Sequence, residues 1–137
     1  MIREYGFEKL IVWKNSRKLV KDIYCLTISL AAEEKYGLTS QIQRATVSVS
    51  SNIAEGASRQ SSKDQGHFYQ TAYASLMEVL CQLTLCLDLG YIDEVSYHNT
   101  RESIDVIAFQ LSQLRNAAIN KPTQVSKLSK PSKPPQP

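Results

Sequence analysis

Four cations on one helical face are the side chains in this sequence best suited to a defined chemistry. Lys14, Arg17, Lys18 and Lys21 stand at i, i+3, i+4 and i+7, which on a helix places them within about 100° of arc, with no acid among them. Such a stripe can follow a phosphate backbone, and each phosphate neutralised adds to the salt dependence of binding. The alternative is an ordinary solvated helix face, partly neutralised by Asp22 four residues after Lys18. Repetition around a homo-oligomer would multiply a weak contact through avidity.

Catalytic chemistry finds little support. His67 and His98 are the only histidines, and they fall in different segments with no HExxH or Cys/His ligand spacing. The glycines build no phosphate-cradling loop, and no nucleophile elbow is present. Glu55 and Glu78 are a conceivable carboxylate pair, while Tyr69 and Tyr73 fall on an apolar stripe and read as packing. No catalytic residue, metal, cofactor or small-molecule substrate is therefore expected.

A second polar pattern runs through Gln41, Arg44, Ser48, Asn52, Glu55 and Arg59, beside an apolar stripe rather than opposite it. Asp64, Thr71, Ser75, Glu78 and Gln82 form its counterpart in the next segment. Arg44 and Glu55 lie about 16 Å apart along a helix and cannot pair with each other. Gln41, Arg44, Asn52, Glu55 and Glu78 are thus expected to form a structural polar network that fixes register or assembly. A solvated flank and, less readily, an active site are the alternatives.

The elements that must position these groups are helices. All five prolines lie at or after Pro122, and no strand-like alternation occurs between turn signals. The first helix is expected from about Glu8 to Ala31, with Val12, Ser16, Leu19, Ile23, Leu26 and Leu30 on its apolar face. The second is expected from Ser40 to Ala57, where Ser40 and Gln43 have capping-box spacing, with Gly56 near its end. The third runs from Ser62, again spaced for a capping box with Gln65, to Leu89, with Gly90 just past its end. Its main face is Tyr69, Ala72, Tyr73, Leu76, Leu80, Leu83 and Leu87. The fourth follows an Asp93 N-cap and ends near Ile119. Short links force consecutive helices antiparallel, so the fold class is all-α: an up-down-up-down antiparallel four-helix bundle over residues 1–119.

The third and fourth helices carry more apolar surface than one core can use. Ala74, Cys81 and Leu85 lie opposite the main stripe, and Val106 and Phe109 are similarly displaced from Ile104. These five are expected to form a homo-oligomer interface; scattered surface apolars are the alternative. Residues 120–137 form a basic, Pro/Lys-rich tail expected to be disordered. The formal charge of +3 divides into +4 on that tail and −1 on the body, so the body is not a strongly basic surface. Three cysteines without a CxxC pair suggest a reducing compartment. Charges near the amino terminus argue against a signal peptide, and Glu78, Gln82 and Asp88 interrupt the most apolar stretch. The expectation is a cytoplasmic protein without a membrane partner.

The run YGLTSQIQRATVSVSSNIAEGASRQSSKD, residues 36–64, resembles the signature of the four-helix-bundle proteins encoded in intervening sequences of 23S rRNA genes. FEKLIVWKNSRKLV and ASLMEVLCQLTLCLDLGYI, residues 7–20 and 74–92, match in kind and order, so the resemblance covers residues 7 to 119. Relatives include the accessory variability proteins of diversity-generating retroelements. The resemblance implies a bacterial bundle that forms ring-shaped pentamers and, in the retroelement relatives, binds RNA or DNA beside a reverse transcriptase. Two positions depart from the pattern: Ser50 stands where many relatives have proline, and Gln43 where a basic residue is common.

Overall fold

The computed structural model describes residues 1–30 and 37–121. Among these it contains a 3-10 turn at Gly6–Lys9, then α1 (Ile11–Thr27), α2 (Leu38–Ser58), α3 (Ser62–Asp88) and α4 (Glu94–Asn120), with no strand. Each helix packs on two neighbours in the cyclic order α1, α2, α3, α4, the arrangement of an antiparallel bundle. Of the tail expected over residues 120–137, Asn120 instead closes α4, with Lys121 following it; the residues from 122 onward, and the expected end of the first helix at Ala31, lie outside the described residues.

Local chemistry sets the helix ends, in places differently from the sequence expectation. The first helix is broken at Leu10, whose φ of −73° and ψ of 125° are extended. No proline or glycine marks this break; Phe7 folds back edge-on to Trp13, with ring centroids 4.9 Å apart. α2 begins after Gly37 with no side-chain cap, so Ser40 and Gln43 form no capping box. Gln43 instead donates to Thr27 Oγ1 at 3.1 Å, tying α2 to the end of α1. α3 is capped by Ser61 rather than Ser62, its Oγ accepting from Asp64 N at 3.1 Å. At its other end, Gly90 takes a φ of +76°. Gly90 N donates to Leu87 O and Tyr91 N to Cys86 O, a Schellman closure that favours glycine. Asp93 caps α4 as expected, and the backbone hydrogen bond from Ser96 holds its carboxyl below the ordinary value.

The core is aliphatic. Leu19, Ile23, Ile42, Ile53, Leu76, Leu83, Ile104, Ile107 and Leu111 are all essentially solvent-free, each contributing about 1.5–3 kcal/mol by burial. α3 is rotated toward α2 relative to the expected face. It buries Val79 and Cys86, leaving Leu80 and Leu87 half-buried, because its contact with α2 is the most extensive in the molecule. Gly56 shows how close that contact is: a Cβ there would meet Tyr69 Cε1 at 2.6 Å and Phe68 Cβ at 3.1 Å. Its role is therefore helix approach rather than termination. Tyr69 is buried beside it, and desolvation raises its hydroxyl pKa.

The polar network expected between α2 and α3 forms in part. Ser48 and Ser75 hydroxyls lie 2.9 Å apart, and Asn52 Nδ2 donates to Ser48 O and Ser48 Oγ. One helical turn or more away, Gln82 Nε2 donates to Gln41 Oε1 at 3.3 Å and Glu78 Oε2 at 3.2 Å. Arg44 and Glu55 do not join it. Arg44 is exposed, and Glu55 pairs with Arg59 on its own helix at 3.4 Å, both solvated. Similar polar clamps mark the other seams: Ser50 donates to Ser16 across α1 and α2, and Tyr97 meets Thr84 across α3 and α4. Hydrogen bonds with Thr84 and Arg101 hold the Tyr97 hydroxyl below its ordinary pKa.

Replacing Gly56 with alanine is expected to lower unfolding free energy by about 1–3 kcal/mol through overpacking against Tyr69, measured by denaturant titration with helical content retained. In a Ser48→Ala/Ser75→Ala double-mutant cycle, the coupling should be about 0.5–1.5 kcal/mol; a value near zero would show that the seam bond adds no stability.

Candidate functional site

The fold turns the apolar face of α1 inward through Val12, Ser16, Leu19, Ile23 and Thr27. Helical geometry then sends Lys14, Arg17, Lys18 and Lys21 outward, and all four are exposed. Lys18 Nζ meets Asp22 Oδ2 at 3.0 Å, with side chains 71% and 38% exposed, a surface pair worth at most about 1 kcal/mol. The Arg17 guanidinium carbon sits 5.6 Å from the Trp13 ring centroid, an arrangement that orients the cation without neutralising it. Among the described residues, Lys14, Arg17 and Lys21 have no carboxylate within ion-pair distance. Three uncompensated charges therefore point into solvent from one face.

Beside the stripe runs a groove that the sequence did not reveal. α1 and α4 make the least extensive of the helix–helix contacts, leaving an opening of about 430 Å³ lined by Lys18, Asp22 and Cys25 from α1 and Ser96, Asn99, Thr100 and Ser103 from α4. A smaller recess of about 180 Å³ continues it toward Asn15 and Val106, where Asn15 Nδ2 donates to Gln110 Oε1 at 3.0 Å. Lys18 and Asp22 border both. Cations and neutral hydrogen-bonding groups thus share one edge of the bundle. Spacing within α4 alone could not indicate this, because the groove depends on how far α1 stands from α4.

The residues expected at an oligomer interface are exposed but do not share one orientation. Ala74, Cys81 and Leu85 face outward on α3, Leu85 being 44% exposed. Phe109 is 65% exposed on α4, whereas Val106 borders the recess beside α1. Val95 and Ile119, which the apolar pattern did not single out, are also strongly exposed. His67 and His98 lie in the second turns of α3 and α4, at opposite ends of the bundle, so they do not converge. Among the described residues no group of three or more potential metal ligands assembles, and no helix is long and apolar enough to cross a membrane.

Comparison with known proteins adds family membership to this geometry. No curated protein gives a significant match. A crystal structure from Bacteroides thetaiotaomicron VPI-5482, described as a protein of unknown function from the S23 ribosomal protein family, is 24% identical. The match covers 77% of this chain and 98% of that one with a TM-score of 0.72, which establishes the likeness of fold. The profile of the 23S rRNA-intervening sequence proteins matches residues 8–113, from the turn preceding α1 into the last third of α4. With that match spanning most of the bundle, the chain belongs to the 23S rRNA-intervening sequence protein family.

Proposed function

We propose that this protein is a non-enzymatic, homo-oligomeric interaction module whose α1 face contacts nucleic acid. It would act alone or beside a nucleic-acid enzyme such as a reverse transcriptase. The observation that carries the reading is the exposed trio Lys14, Arg17 and Lys21, without a carboxylate partner among the described residues. Lys14 and Lys21 are seven residues apart, about 10 Å along the helix, the span of roughly three phosphates of one strand. One such face binds weakly. A ring or cluster of copies, pentameric or otherwise, raises its effective strength without any new contact type. The outward Leu85 on α3 and Phe109 on α4 are the exposed apolar side chains offered to that assembly.

Titration of labelled single-stranded RNA and DNA at two salt concentrations tests the contact. Lys14→Gln/Arg17→Gln/Lys21→Gln should weaken binding at least tenfold at low salt and flatten the salt slope by about 0.7 for each phosphate no longer neutralised. Equal affinity for variant and wild type would remove α1 from the site. Absence of binding at low salt would leave a structural oligomer or protein adaptor. Light scattering tests assembly: the wild type should give a multiple of 15.4 kDa, and Leu85→Glu should reduce it, whereas a monomeric wild type contradicts self-association.

A further inference from the structure

The opposite corner of the bundle holds a second cationic feature with a different shape. Where the amino end of α3 meets the carboxyl end of α4, a recess of about 410 Å³ is bordered by Lys63, Gly66, His67, Gln70, Arg115 and Lys121, among others. Volumes of this order accept small ligands. Gly66 is what lets the helices close here: a Cβ on it would meet Ile119 Cγ1 at 3.0 Å. Arg115 is already held in place, its Nη1 donating to Gln70 Oε1 at 2.6 Å and its guanidinium lying 5.6 Å from the Tyr73 ring centroid. Its Nη2 donors have no acceptor among the described residues.

Among the described residues, no carboxylate borders the recess or pairs with Lys63, Arg115 or Lys121. No Asp or Glu occurs between Gln65 and Met77, nor anywhere after Asp105. Asp64, next to Lys63, does not border the recess. The dipoles of α3 and α4 oppose each other at this end, so the field comes from the side chains rather than from a helix terminus. Three cations around one concavity, with Arg115 held in place, suit a single compact dianion better than a polymer, whose charges are strung out at about 3.4 Å of rise per strand position. Phosphate monoesters carry about −1.5 to −2 charges at neutral pH and three strong acceptor oxygens, which arginine engages bidentately.

We infer that this recess binds a terminal phosphate monoester, with Arg115 as the bidentate anchor and Lys63 and Lys121 as flanking charges. The site is independent of the α1 stripe, because it uses different residues on a different seam. The phosphate would come either from a free metabolite or from the phosphorylated end of a nucleic acid strand.

Backbone NMR of the full chain, following the Gly66 and Gln70 amides, tests it with inorganic phosphate, AMP, and one oligonucleotide carrying either a 5′-phosphate or a 5′-hydroxyl. Saturable shifts with phosphate and AMP assign the site to free phosphates. Shifts with only the 5′-phosphorylated strand assign it to strand ends, and in both cases the site stands. Arg115→Gln should weaken the binding at least tenfold. Lys63→Gln/Lys121→Gln, two exposed positions that leave the core untouched, should do so as well, while the α1 triple variant should leave it unchanged. Equal shifts with the 5′-hydroxyl strand, no shift with any probe, or undiminished binding in both pocket variants would overturn the inference.

Discussion

The close approach of α2 and α3 is the constraint on which the rest of this bundle depends. Gly56 leaves room for the Tyr69 ring where any side chain would collide, Ser48 meets Ser75 further along the two helices, and Ala45 and Ala72 are small buried residues on them. Small side chains bury little area individually. What they permit is proximity, which brings the Ser48–Ser75 and Gln41–Gln82 hydrogen bonds within reach and rotates α3 so that Val79 and Cys86 enter the core. The α2/α3 hairpin then offers two flanks, onto which α1 and α4 dock.

Because α1 and α4 each lean on the hairpin more than on each other, the seam between them stays open. That looseness opens the groove beside the cationic face of α1. Charge placement matters here more than net charge. At physiological ionic strength fields decay over about 8 Å, so a ligand meets a local cluster rather than the total of +3. Despite that small total, the described residues carry a linear cationic stripe on α1 and a concave cationic cluster at the α3/α4 corner. A line matches a strand and a concavity matches a single group.

Much of the fold was legible because helix periodicity is a local property. With no proline before Pro122, the 3-4 spacing marks four helices, and the Asp93 cap and Gly90 turn can be seen in the sequence itself. What escaped was set by tertiary contact. The break at Leu10 comes from Phe7 folding onto Trp13, and Gly56 looked like a helix terminator although it marks a close crossing. Arg44 and Glu55 fitted the polar stripe by spacing, yet Arg44 faces solvent and Glu55 turns to Arg59, whereas Ser48 reaches Ser75 across the seam. The cations of the stripe were visible because one helix carries them all. The groove beside them and the Arg115 recess each need two helices, and no single-segment pattern reports such a pairing.

That the α2/α3 pair is the frame onto which α1 docks is tested most directly by native-state hydrogen exchange. Amides of Val49, Ile53, Ala72 and Leu76 should exchange only through global unfolding, while those of Leu19 and Ile23 should open earlier, at lower free energy. Equal or greater protection in α1 than in α2 and α3 would contradict it.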